Sequence, residues 1–207
     1  MSTLREQYGL LRNFLRSGFS TTVSLCAKGF LAAAVFGAFA AFFYPDVIET
    51  ALESFSAMVE DAGIVGEDGS ISTFALLFNN WWAMLMSAAY GFIPFIFLPL
   101  LSLISNGLIL GVFGVYYVKS GFGILAYLAG ILPHGIFELP AIVLSIACGV
   151  YLCRNVNRVI TSNPNRIPMV ELLSDLLRVL LLLVAPLTVV AAFIECYITP
   201  LIMSLFL

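Results

Sequence analysis

Charged side chains are scarce in this chain. Only 10% of the 207 residues are Asp, Glu, Lys or Arg, whereas 61% are hydrophobic, and the mean hydropathy is +1.06. This composition excludes an ordinary soluble domain. The hydrophobic residues form several runs of about 20, the length that an α-helix needs to cross a bilayer. No run alternates between apolar and polar residues as barrel strands do. The sequence therefore predicts an all-α integral membrane protein, multi-pass, in one transmembrane domain over 1–207.

Basic residues are few and unevenly placed. The chain has nine Lys and Arg, too few and too dispersed for nucleic-acid binding. They concentrate at the N-terminus and in a late loop, whereas residues 45–72 hold acidic residues and no basic one. By the positive-inside rule, the basic segments lie in the cytoplasm. We therefore predict a cytoplasmic N-terminus, with a cytoplasmic amphipathic segment (1–18), an extracytoplasmic acidic loop (45–72) and a cytoplasmic basic loop (154–174).

Five membrane spans are predicted from the apolar runs. Their approximate bounds are 21–44, 74–97, 99–118, 134–153 and 176–199. The run from Phe122 to Cys153 contains no polar linker, and as one helix its 32 residues would measure about 48 Å, more than the bilayer core. Proline interrupts helical hydrogen bonding, so we predict a helix break at Pro133, Gly135 and Pro140. The residues before the break would form a short broken or re-entrant helix over 122–135.

Small residues recur at helical spacing in two of the predicted spans. Gly29 and Gly37 share one face of the first span, and Gly107 and Gly111 share one face of the third. Small residues let two membrane helices approach closely. These faces predict contact with another helix, either of another membrane protein or of a second copy of the chain in a homodimer.

Histidine occurs once, and it lies among apolar residues. His134 and Glu138 are one helical turn apart, and Asn79, Asn80 and Asn106 lie in neighbouring predicted spans. Ionisable groups in a bilayer are costly and need a partner or a function. These five side chains are therefore predicted to form a polar cluster. Glu195, near the outer end of the last span, is expected to reach the interface or pair with a partner helix.

Three interpretations of this polar cluster remain open. In the first, the side chains bond to each other and to freed backbone groups and so hold the helices together. In the second, His134 and Glu138 bind zinc or another divalent metal, with further ligands from asparagine, water or a second subunit. In the third, the cluster is a transport or proton-relay site at a broken helix.

Catalytic chemistry has little support in the sequence. A zinc-peptidase helix needs a second histidine one turn away, and His134 is the only histidine. The four cysteines lie in or beside apolar runs without the spacing of a zinc site. No catalytic residue is predicted, and the chain is expected not to be an enzyme.

Three short motifs resemble hallmark elements of the stage II sporulation protein M family. They are "NN" at Asn79–Asn80, "NGLILG" at 106–111 and "PHGIFELPAI" at 133–142, in the family's order. The resemblance implies a plasma-membrane protein of a bacterium or archaeon, in contact with membrane lipid. It also implies a non-enzymatic scaffold for other membrane proteins, which in spore formers are cell-wall hydrolases that act during engulfment. The alternative is a transporter, channel or lipid-handling protein that uses the polar cluster.

Overall fold

The structure is a computed structural model that describes residues 3–65 and 72–206. Its helices in chain order are α1 (Leu4–Leu15), α2 (Gly18–Phe43), α3 (Asp46–Asp61), α4 (Thr73–Ala89), α5 (Pro99–Lys119), α6 (Gly123–Ile160), α7 (Met169–Val179), α8 (Ala185–Phe193) and α9 (Thr199–Met203). The π-helical turns Leu180–Val184 and Ile194–Ile198 join the last three. Together these form one C-terminal helix, Met169–Met203. The prediction of an all-α membrane protein is confirmed.

Four of the described helices are long and apolar enough to cross a membrane: α2, α5, α6 and the C-terminal helix. Helix α4 has 17 residues, about 26 Å at 1.5 Å per residue, and is shorter than the predicted span 74–97. A 3₁₀ turn over Tyr90–Phe92 ends it early. The Phe95 backbone N–H, in the turn that follows, donates to Asn157 Oδ1 on α6 (2.8 Å). A fifth crossing, through α4, stays a prediction.

Local sequence determines where several of these helices begin. Thr3 and Glu6 form a reciprocal capping box at the start of α1, and the side chain of Ser72 accepts from the backbone of Ala75 at the start of α4 (3.2 Å). Pro99 opens α5, where its missing N–H costs nothing. The amphipathic α3 lies within the predicted acidic loop, of which residues 66–71 are outside the described part of the chain.

Helix α6 lies at the centre of the bundle, with 56% of its most apolar window buried, against 22% for α2 and α5. Small buried residues of α6 let neighbouring segments approach it closely. Gly149, for example, contacts the backbone of Gly91 and Ser87. At one end of α6, Phe14 of α1 and Phe19 of α2 pack against Tyr151. We call this the basic end, because Arg154 and Arg158 lie there beside residues 161–168.

The predicted helix break at 122–135 is wrong. Pro133, Gly135 and Pro140 all lie inside α6, which continues for 38 residues, about 57 Å. Each proline removes only one backbone hydrogen bond. Membrane helices tolerate such a loss because groups on neighbouring helices can bond to the freed carbonyl. A helix of this length fits because its ends need not both lie near the bilayer surface: the basic end of α6 continues past Cys153.

The predicted basic loop 154–174 is also too long. Residues 154–160 belong to α6 and residues 169–174 to α7, so only 161–168 are outside these helices. Asn155, almost fully buried, holds this shorter loop: its Nδ2 donates to the carbonyl of Ile167 (3.0 Å), and its Oδ1 accepts from the Ile167 backbone N–H (2.8 Å). The paired bonds allow a tight connection between α6 and α7. The polar composition of the segment had suggested a longer loop.

The four predicted packing glycines lie in the contact between α2 and α5. A Cβ on Gly107 would lie 2.7 Å from Ala33 Cβ, and one on Gly37 would lie 2.9 Å from Leu108 Cα. A Cβ on Gly111 would overlap the Ala34 carbonyl oxygen, and one on Gly29 would touch Leu103 at 3.5 Å. These faces are therefore covered within the chain, and a partner would have to contact other surfaces.

Candidate functional site

The candidate site is a cluster of polar side chains contributed by three helices. His134 and Glu138 come from α6, Asn80 comes from the second turn of α4, and Glu195 and Thr199 come from the end of the C-terminal helix. We call these five residues the α6 cluster. It lies away from the basic end, toward the side predicted to be extracytoplasmic.

Continuous helix geometry places the two α6 residues on one face. His134 and Glu138 are four positions apart, and their Nε2 and Oε2 atoms lie 3.8 Å from each other. That separation is too long for a hydrogen bond. Only 8% of His134 is exposed, and the Glu138 side chain is 17% exposed. Both groups therefore face the bundle interior and not the surrounding apolar phase.

The π-helical turn Ile194–Ile198 forms the second side of the cluster. It contains Glu195 and is followed at once by Thr199. Pro200 lacks the N–H that would continue regular α-helical bonding, and π turns are frequent at functional sites. Helix α6 offers Gly130 to this segment, where the Met203 sulfur would lie 3.1 Å from an added Cβ. The small residue lets the two helices approach at the level of the cluster.

Two further side chains fix the α6 residues. Asn80 Nδ2 donates to Glu138 Oε1 at 2.9 Å, and His134 Nδ1 lies 3.2 Å from Thr199 Oγ1. One oxygen of Glu138 and one nitrogen of His134 are thereby occupied. The other oxygen, Oε2, and the other nitrogen, Nε2, face each other across the cluster. This arrangement resembles a metal site whose ligands are oriented by outer hydrogen bonds.

Glu195 completes a group of three potential metal ligands. One ligand atom from each of His134, Glu138 and Glu195 can be chosen so that all three lie within 4.8 Å of one another. In the described part of the chain, neither carboxylate has a Lys or Arg ion-pair partner, since the pairs found are His134–Glu138 and Arg178–Asp175. Two carboxyl groups this close need a proton or a cation between them.

Only part of the predicted polar cluster comes together. Asn80, His134 and Glu138 do. Asn106 is exposed, and its Nδ2 donates to the carbonyl of Ser102 on its own helix (2.8 Å). Asn79 lies on α4, and no hydrogen bond joins it to the cluster within the described residues.

The contribution of the C-terminal helix is absent from the sequence-based prediction, which places Glu195 at the interface or against a partner helix and gives Thr199 no role. A usable signal was present: Glu195 and Thr199 are four positions apart, immediately before Pro200. Two polar side chains four positions apart with a proline soon after them also occur at His134, Glu138 and Pro140.

Comparison with known proteins agrees with the motifs. A sequence model described as stage II sporulation protein M matches residues 26–200, which is most of the chain and includes all five residues of the α6 cluster. No curated protein matches the chain, and no solved structure matches it.

Proposed function

Because the chain belongs to the stage II sporulation protein M family, we propose that it is a non-enzymatic membrane scaffold that assembles or positions partner membrane proteins. The family is named for sporulation, and the family match and the apolar helices make the chain a membrane protein. In spore formers, the partners that the family resemblance implies are cell-wall hydrolases during engulfment. The proposal places the chain in the plasma membrane of a bacterium or archaeon.

The observation that carries this proposal is the position of the α6 cluster between three helices. Asn80 connects α4 to α6, and Thr199 connects the C-terminal helix to α6. Nearby, Thr73 Oγ1 donates to Tyr197 Oη at 3.2 Å and joins α4 to the C-terminal helix directly. Within the described residues, no fully buried side-chain nitrogen or oxygen lacks a hydrogen-bond partner. A cluster connected in this way stabilises one arrangement of helices, as a scaffold requires.

One surface open to a partner is the outer face of α2. Leu31, Val35, Phe36 and Phe39 are exposed there and line a shallow apolar groove beside Lys28. Lys28 has no carboxylate partner among the described residues. The proposed occupant is a transmembrane helix of a partner protein that carries an acidic residue at the level of Lys28. Helix α2 is among the least buried of the membrane helices, so this face is accessible.

The transport alternative loses the observation that motivated it. That hypothesis depended on a helix break at Pro133 to Gly135, and α6 is continuous there. The irregular backbone beside the cluster is the π turn Ile194–Ile198 of the C-terminal helix. Two clefts beside the described residues lie on the outer face of α2 and along α3. Transport therefore stays a prediction.

Site-specific photo-crosslinking in cells tests the scaffold proposal. A photoreactive amino acid at Phe36, on the outer face of α2, should form an adduct with a membrane protein that loses its normal position in cells lacking this chain. The matched control is Phe30 on the same helix, which is buried and should give no intermolecular adduct. An adduct with a second copy would instead show a homodimer. Adducts with lipid alone at Phe36 would contradict docking at this face.

A further inference from the structure

We infer that His134, Glu138 and Glu195 form a binding site for a divalent transition-metal ion, with Zn²⁺ as the best fit. The site would join α6 to the C-terminal helix. The inference and the scaffold proposal both start from the α6 cluster, but the metal site requires no partner protein and is tested separately.

The spacing of the three groups suits a shared ion better than direct bonding. Zinc bonds of about 2.0–2.1 Å in tetrahedral geometry put neighbouring ligand atoms about 3.4 Å apart. The His134 Nε2 to Glu138 Oε2 distance of 3.8 Å is close to that value and exceeds a hydrogen bond. The widest ligand separation, up to 4.8 Å, must shorten by about 1.4 Å to reach the same spacing.

The hydrogen bonds around the site leave the correct atoms free. Nε2 of His134 can bind a metal when Nδ1 carries the proton and donates to Thr199 Oγ1, 3.2 Å away. Glu138 keeps Oε2 free because Asn80 occupies Oε1. Outer-shell bonds of this kind orient ligands and strengthen metal binding. Asn80 and Thr199 therefore act as positioning residues.

Glu195 is the third proposed ligand, and the sequence pattern did not predict it. No hydrogen bond is found for its carboxylate within the described residues, although it approaches both His134 and Glu138. A partly buried carboxylate with no donor is costly in an apolar environment. A divalent cation among two carboxylates and one imidazole removes that cost and leaves the site neutral in total charge.

The ligand types select the class of metal. One imidazole and two carboxylates suit a borderline ion such as Zn²⁺. The set contains no thiolate, which Cu⁺ prefers, and its nitrogen ligand disfavours Ca²⁺ and Mg²⁺. Cys196, next to Glu195 in the chain, is not part of the group of three.

Metal analysis of the full-length protein tests the inference. The chain, purified without a histidine tag and loaded with Zn²⁺, should retain stoichiometric zinc after desalting and lose thermal stability when a chelator removes it. Glu195→Gln keeps the side-chain shape and should lose the zinc, with at least a tenfold weaker affinity. The matched control is Glu171→Gln, an exposed acid on the same helix, which should retain the zinc.

The thermal stability of the metal-free proteins distinguishes loss of zinc binding from poor folding of the variant. Metal-free Glu195→Gln should unfold at or above the temperature of the metal-free parent chain, because one of two adjacent carboxylates has been neutralised. Failure of the folded parent chain to retain Zn²⁺ would overturn the inference and leave a shared proton as the link between the groups. Zinc retained by folded Glu195→Gln would overturn it as well. Either result leaves the crosslinking test of the scaffold proposal unaffected.

Discussion

Single hydrogen bonds determine the orientation of the His134 and Glu138 side chains on α6. Asn80 holds Glu138 through Oε1, and Thr199 holds His134 through Nδ1. Neither contact could be predicted from sequence spacing, because each joins residues at least 58 positions apart. The shared face of His134 and Glu138 could be predicted, since it follows from helical periodicity alone.

Removing the amide of Asn80 should weaken the fold. In Asn80→Ala, the Oε1 atom of Glu138 loses its donor in a partly buried position, which costs about 1–3 kcal/mol. Thermal unfolding in mild detergent should show a lower melting temperature. Asn106→Ala is the matched control, because among the described residues the exposed Asn106 side chain bonds to Ser102 of its own helix, and its effect should stay within about 0.5 kcal/mol. Equal losses in the two variants would contradict a role for Asn80 in the α6 cluster.

The hydroxyl of Thr199 should matter for metal binding more than for folding. Thr199→Val keeps the shape but removes the acceptor for His134 Nδ1, and the loss of such an outer partner lowers metal affinity by about 10- to 100-fold. Competition with a zinc-binding dye measures the change. Thr199→Ser restores the hydroxyl and should recover the affinity. Valine and serine variants with the same affinity would show that Thr199 does not orient the imidazole.

At the scale of whole helices, position and type were predictable, but the ends and interruptions were not. Helix α5 matches its predicted span within a residue, since Pro99 marks its start. Prolines 133 and 140 gave the wrong expectation of a break, because a proline's effect on a membrane helix depends on neighbours that the local sequence does not show. The π turn at Ile194–Ile198 has no marker in the sequence except Pro200, and for this reason Glu195 was misplaced.

Replacing Pro133 tests the continuity of α6. If the helix is continuous, Pro133→Ala restores one backbone N–H and should change the unfolding free energy by no more than about 1 kcal/mol, with metal retention unchanged. Thermal unfolding and zinc content measure both properties. A large loss of stability together with loss of zinc would indicate that a proline-dependent break shapes the α6 cluster.

The contact between α2 and α5 should be sensitive to a single methyl group. Gly111→Ala places a Cβ against the Ala34 carbonyl oxygen and 2.7 Å from the Ala38 nitrogen, so the helices must separate at a cost of about 1–3 kcal/mol. Gly114→Ala on the same helix is the control, because its new Cβ would lie 3.4 Å from the Tyr127 ring. Equal stability of the two variants in thermal unfolding would contradict the described contact.

For the whole molecule, the charge distribution predicts the orientation in the membrane, which helix lengths alone do not determine. Ser56 lies exposed on α3, and Ser162 lies exposed in the loop at the basic end. By the positive-inside rule, a cysteine at Ser56 should react with an impermeant maleimide on intact cells. A cysteine at Ser162 should react only after permeabilisation. The native cysteines are buried or partly buried, so the unmodified chain gives the background, and the reverse labelling pattern would contradict a cytoplasmic N-terminus.

The α6 cluster connects all three scales. Two hydrogen bonds orient His134 and Glu138, a π turn supplies Glu195, and the proposed ion would hold α6 against the C-terminal helix. X-ray absorption at the zinc K-edge of the zinc-loaded, untagged protein tests this account most directly. It should show one imidazole nitrogen and at least two oxygen ligands at about 2.0–2.2 Å. A sulfur shell at about 2.3 Å, or a shell of oxygen alone, would place the ion elsewhere and contradict the account.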